Sequence, residues 1–367
     1  MSSPFLTRQS FMAPAVPVAQ VQVYHGPIQQ GGQTLPVYAG DYVEIGTRMY
    51  LATDQGLVDT HKSKAELEQL LPNPQYGELR QASNVGDCYL AGSLRGMFLD
   101  PYARALLLKQ AHYNPNTQQY TAHAQKLAHL SVGTQQFGPE SLELTQTIET
   151  EGQQTVALES VRGPRLFRLF EQFFGRLRRD HDAYARGVSE AELLRLYGLT
   201  KDEARKPGRT RTLLNGGTAQ QFFMPLLDAH YKPFVLPMGN RVNPEHLKER
   251  TLVAAKLKDW ASQTPTHRYV ATLALCDASL KPGEQATTTL KDIHGKPLQI
   301  IKNHAYTIEG VYSQTGDGNS LAVVVSNPHD TRTQKFEISL GTVLSGFNWI
   351  VGAERPATLS TGIDVRF

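Results

Sequence analysis

The chain has 367 residues, 40% of them hydrophobic and 19% charged, proportions that exclude a wholly disordered polypeptide. A formal net charge of +3 is small for that length, so nothing in the balance points to a nucleic acid or a membrane surface as partner. Two cysteines, Cys88 and Cys276, are too few for a disulfide-built fold.

Residues 1–40 are rich in Pro, Gln, Gly and Ser and read as a flexible leader with at most one edge strand. Pro14 and Pro17 interrupt its best apolar run, so no secretory signal or membrane span is visible. That predicts a cytoplasmic protein, or one exported without a cleaved signal. Alternation through Tyr42, Val43, Ile45, Met49 and Leu51 predicts strands between Asp41 and Leu51. Ser63 with Glu66 forms a capping box ahead of Leu67, Leu70 and Leu71, and Pro72 ends that helix.

The turn-forming Asn84, Gly86 and Asp87 lead into an apolar-periodic run through Leu90, Ala91, Leu94, Met97 and Phe98, so Cys88 opens a buried helix. Asp100 and Pro101 fit the N-cap and first turn of the next one. Short strands are predicted from Tyr113 to about Val156. Leu166, Phe167, Phe170, Phe173, Phe174 and Leu177 then recur at helical spacing with arginines outward. Ser189 to Arg211 carries two more capped helices, and Thr218 with Gln221 caps another. Asn243 and Pro244 start a helix reaching Trp260. Beyond it the period turns strand-like, over Tyr269 to Leu275, Leu298 to Ile301, His304 to Gly310, Leu321 to Val325, Lys335 to Leu340 and Phe347 to Val351. A mainly helical part, 41–239, is thus followed by a mainly antiparallel β part, 240–367. Cys276, next to the first of these strands, is expected in the core.

A thiol at a helix N-terminus has chemical consequences. The partial positive charge there favours thiolate, and the orphan backbone N–H groups are placed to hold an oxyanion.

Gly86-Asp87-Cys88-Tyr89-Leu90-Ala91 resembles the cysteine motif of the calpain family of papain-like proteases. Two further segments follow in the family's chain order. Asn303-His304-Ala305-Tyr306-Thr307-Ile308 is similar to its Gly-His-Ala-Tyr-Ser-Val, and Asn327-Pro328 matches the core of its Arg-Asn-Pro-Trp-Gly, with His329 and Asp330 where Trp and Gly stand. The resemblance implies an α+β fold of papain-like type, with a helical lobe carrying the cysteine and an antiparallel β lobe carrying histidine and asparagine. It also implies a cysteine endopeptidase that cleaves protein substrates through a thioester. Cys88 would be the nucleophile, His304 its base, Asn327 the residue that orients the imidazole, and Gln81 an oxyanion donor. Gln81 stands seven positions before Cys88 where the family has six, so Asn84 is a second candidate donor. Residues 189–211 have no counterpart in the family pattern and read as an insertion.

The family core is known for calcium dependence, but its Trp-rich and acid-rich segment is not recognisable here, and Thr315 to Asn319 suits a hairpin turn better than a calcium loop. His112, His123 and His129 are spaced too loosely for zinc. Activity without a metal or other cofactor is therefore expected. Two rivals share these residues: a glutamine deamidase or transglutaminase using the same thioester, and a catalytically inactive module that binds through the retained fold.

Overall fold

The alternating segment after residue 41 folds as a meander, β1 (Tyr42–Ile45), β2 (Arg48–Thr53) and β3 (Gly56–Lys62), paired antiparallel with Tyr42 opposite Leu51 and Leu51 opposite Val58. The computed structural model describes residues 6–7, 22–30, 33–71, 79–81, 88–116, 119–122, 131–132, 135–136, 161–162, 165–167, 169–171, 219, 226–238, 247–262, 267–277, 279–280, 286–315 and 320–356. Gly46 and Gly56 make the two turns with φ of +64° and +96°, a backbone region that side chains with a Cβ rarely adopt. Leu6–Thr7 adds a fourth strand beside β1, and Gln22–Gln30 pairs with Gln33–Tyr38 as a hairpin. The segment expected to be a leader therefore contributes three strands. Main-chain pairing of this kind needs no apolar periodicity, which is why composition alone pointed to loop.

Helix α1 (Lys64–Leu70) begins where the capping box places it, with Ser63 Oγ accepting the Glu66 N–H at 3.2 Å and Leu67 and Leu70 buried. The Glu66 carboxylate serves elsewhere, accepting the Tyr113 N–H at 3.1 Å and pairing with buried Lys62 at 3.5 Å. Helix α2 (Cys88–Leu99) is buried along almost its whole length, because every residue in it except Arg95 is apolar, aromatic or small. Asp100 caps α3 (Pro101–Lys109) through the Tyr102 N–H at 2.9 Å. A hairpin of β4 (Ala111–Asn114) and β5 (Gln119–Ala122) follows, and residues 165–167 and 169–171 are helical. The helices expected within 173–218, the insertion at 189–211, the start of the 243–260 helix and His123 and His129 lie outside the described residues.

The second half is one six-stranded antiparallel sheet built from β6 (Lys232–Pro237), β7 (Tyr269–Leu275), β10 (His304–Ser313), β11 (Leu321–Ser326), β12 (Lys335–Ser339) and β13 (Trp349–Glu354). The order is β6-β13-β7-β10-β11-β12, and a separate hairpin of β8 (Thr287–Lys291) and β9 (Pro297–Ile301) lies between β7 and β10 in the chain. Helix α4 (Leu247–Ser262) precedes β7, and α5 (Leu340–Gly346) separates β12 from β13.

Three further outcomes differ from the sequence expectations. β6 precedes the division placed at 240, yet it pairs with β13 along its whole length. Strand β12 ends at Ser339, whose Oγ accepts the Thr342 N–H and starts a helix instead of continuing to Leu340. Cys276 is exposed rather than in the core, since β7 ends at Leu275 and the chain turns outward.

Period-two alternation divides the sheet between two cores. Val270, Ala305, Val351 and Ala353 join the core around α2 and α3, whereas Ala271, Leu273, Tyr306, Ile308 and Ile350 join Val253, Leu257 and Trp260 of α4. The α2 face is packed close enough that a Cβ on Gly96 would meet Val270 Cγ1 at 3.1 Å, and one on Gly92 would meet Thr307 Oγ1 at 3.4 Å. The fold is thus a mixed α+β arrangement with a helix laid directly on a sheet. Among the described residues no helix is long and apolar enough to cross a membrane.

Candidate functional site

Cys88 is the first described residue of α2 and is 8% exposed. Its Sγ accepts the backbone N–H of Ala305 at 3.3 Å, so the start of the helix rests against the start of β10. The approach depends on the glycine face of α2, where the Gly92 carbonyl accepts from Thr307 Oγ1 at 3.0 Å.

His304 opens β10 opposite Leu275, the last residue of β7. The turn leading into it is held by Asn303, at φ +50°, whose Oδ1 accepts the Asp277 N–H at 2.7 Å, and by an ion pair between Lys302 and Asp277 at 3.0 Å. The imidazole is 6% exposed, and Tyr306 meets it edge-on with ring centres 4.9 Å apart. Asn327, just past the end of β11, is 5% exposed and lies 2.8 Å from His304 Nε2 through its Oδ1. An amide oxygen can only accept, so Nε2 carries the proton and Nδ1 is left as the acceptor. Burial pushes the His304 pKa down to about 3, neighbouring His329 pushes the same way, and the bond to Asn327 opposes both.

The loop after Asn327 adds contacts that no motif signalled. Its amide Nδ2 donates to Gln334 Oε1 at 2.6 Å, while its Oδ1 also accepts the His329 N–H at 3.0 Å. The His329 ring lies beside His304 with centres 4.6 Å apart, in the position where the family motif has Trp. Thr331 is fastened to Leu79 by its backbone N–H at 3.0 Å and by its hydroxyl, and the Pro328 carbonyl accepts the Gln81 N–H at 2.8 Å.

That stitching brings the segment upstream of Cys88 to the loop downstream of Asn327. Gln81 is 3% exposed and its short strand pairs with Val161–Arg162. Asn84, Gly86 and Asp87 fall outside the described residues. The structure therefore joins Cys88 to the residue after His304, His304 to Asn327, and Gln81 to the residue after Asn327.

A buried ion network lies deeper along the same helix and strand. Arg95 Nε pairs with Glu309 Oε1 at 2.8 Å, and Lys335 Nζ approaches Oε2 at 2.8 Å. Glu309 is the unpaired residue of a bulge, since Ile308 faces Val325 and Gly310 faces Val324. The bulge lets Ile308 and Val311 both stay on the α4 side while the carboxylate reaches α2. Burial alone would raise its pKa, but Arg95 and Lys335 outweigh that and hold it at about 2. One signal for this network was present in the sequence: an arginine inside an apolar helical run has to find a partner.

Among the described residues no group of three or more His, Cys, Asp and Glu side chains could hold a metal ion. No protein-family model matches the chain, and no curated protein matches it.

Proposed function

We propose that the protein is a calpain-like cysteine endopeptidase of papain-like, two-lobed architecture, acting on protein substrates without a metal. The observation that carries this reading is the junction of α2 with β10 and β11, where Cys88 Sγ sits on the Ala305 N–H and His304 Nε2 on Asn327 Oδ1.

In this mechanism Asn327 keeps the proton on Nε2, so Nδ1 is the nitrogen that receives the thiol proton. The depressed pKa keeps the imidazole neutral at pH 7, and it enters as a base. Cys88 Sγ bonds to the carbonyl carbon, and the electron pair moves onto the carbonyl oxygen. The Cys88 backbone N–H and the Gln81 side chain are the donors assigned to that oxyanion. When the carbon–nitrogen bond breaks, the imidazolium returns its proton to the departing amine. Water then attacks the thioester, giving its proton to His304, and the acid leaves as the thiol reforms.

Incubation of a loosely folded protein with wild type and Cys88→Ala, in reductant, with and without chelator, tests the proposal. New chain termini that need Cys88 and persist in chelator are the expected result. Ammonia release from glutamine without chain cleavage would transfer the site to a deamidase. Intact substrate with no change of mass would leave a binding module.

A further inference from the structure

We infer that Gln334 is a positioning residue that selects the reactive tautomer of His304 by fixing which end of the Asn327 amide faces the imidazole. The inference rests on the proposed roles of Cys88, His304 and Asn327.

A carboxamide is nearly symmetric in shape but opposite in chemistry at its two ends. With oxygen toward His304, Nε2 must carry the proton and Nδ1 can accept one. With nitrogen toward His304, Nε2 must be the acceptor, Nδ1 carries the proton, and the base is lost. Sterics alone do not choose between the two orientations. The choice falls to the other partners of the amide, one of which meets its far end.

There Gln334 Oε1 accepts the hydrogen bond from Nδ2 at 2.6 Å. The His329 backbone N–H supports the same orientation by donating to Oδ1 at 3.0 Å. The Gln334 main chain is fixed in turn: its carbonyl accepts the Asn327 N–H at 2.9 Å, and its own N–H donates to the Asp330 carbonyl at 2.9 Å. The loop from Asn327 to Gln334 is thus closed at its mouth by the two residues whose side chains also meet. With its main chain held, Gln334 presents its side-chain oxygen to the buried Asn327 amide, and the His329 backbone N–H, which can only donate, gives the pair of amides its sense.

The test uses the full chain with Gln334→Met, similar in length but without a strong acceptor, and Gln334→Glu, which keeps the acceptor. Gln334→Met is expected to lower kcat by about 10- to 100-fold with KM unchanged. Gln334→Glu is expected to stay near wild type. Nitrogen-15 NMR of labelled histidine is expected to show His304 protonated on Nε2 in wild type and Gln334→Glu, with Nδ1–H appearing in Gln334→Met. In an Asn327→Asp background there is no amide to orient, so Gln334→Met should cause no further shift of tautomer. A wild-type tautomer in Gln334→Met, or equal kcat losses for the Met and Glu variants, would overturn the inference. The NMR measurement needs no substrate. If wild type cleaves nothing, the functional proposal fails while the role of Gln334 is still decided. Gln334→Leu replaces the Met variant if that chain does not fold.

Discussion

His304 shows how one residue ties the chemistry of the site to the stability of the fold. Its folded pKa of about 3 lies below the ordinary histidine value because burial disfavours the charged ring. Between the two values the unfolded chain binds the extra proton, so the share of folding stability linked to His304 is fully present above about pH 6.5 and is lost as pH drops toward 3. Glu309 is separated from this, because its loss of stability sits lower, as pH falls from the usual glutamate range through about 2. Urea unfolding at pH values from 7 to 4.5 should therefore show stability declining on the acid side. His304→Gln should lessen that slope, the remainder resting on His267, whose buried ring is also held at about 3, and an unchanged slope would remove the His304 imidazole as a source.

At the scale of elements, α2 is held to β10 by close packing at Gly92 and Gly96 and by the Arg95–Glu309 pair. A buried pair contributes little net stability compared with apolar replacements, but removing one member strands the other charge. Arg95→Met should cost about 3–5 kcal/mol in denaturant unfolding. Adding Glu309→Gln should recover much of that loss, since the buried carboxylate is then gone. A double variant as unstable as the single one would mean that the pair acts through packing and not through charge. Both residues lie on the elements that carry Cys88 and His304, so the single variant should also slow any Cys88-dependent turnover.

For the whole molecule, Arg355 is the residue where distant parts of the chain meet. Its guanidinium pairs with Asp54 at 2.9 Å, with Asp100 at 3.0 Å and, through Nε, with the Tyr231 hydroxyl at 3.0 Å. Tyr231 donates to the other Asp100 oxygen at 2.6 Å. One cation thus joins the end of β2, the cap of α3, the entry to β6 and the exit of β13. Arg355→Met should cost about 3–5 kcal/mol by leaving two carboxylates without it. Hydrogen exchange should rise together in Gly56–Lys62 and Trp349–Glu354, which belong to different sheets. Exchange confined to the neighbourhood of Arg355 would show that the cluster does not couple them.

Local rules were enough for much of the architecture. Apolar periodicity placed β7 at its observed bounds, Ser63 and Asp100 announced the helices they cap, and three short motifs singled out Cys88, His304 and Asn327. These features are legible because period, cap and motif each act within a few residues. The pairing of β6 with β13, the strands before residue 40, the fastening of Gln81 and Leu79 to the loop after Asn327, and the orientation of the Asn327 amide by Gln334 were not legible. Each depends on a main-chain or side-chain partner whose identity leaves no periodic trace, and most of these partners are far away in the chain. The sequence by itself determined which residues carry a thiol, an imidazole and an amide, and on what kind of element each sits. Only the tertiary structure decided that they converge, because a hydrogen bond across 217 residues, from the Ala305 N–H to Cys88 Sγ, is selected by the packing of a glycine-faced helix on a sheet.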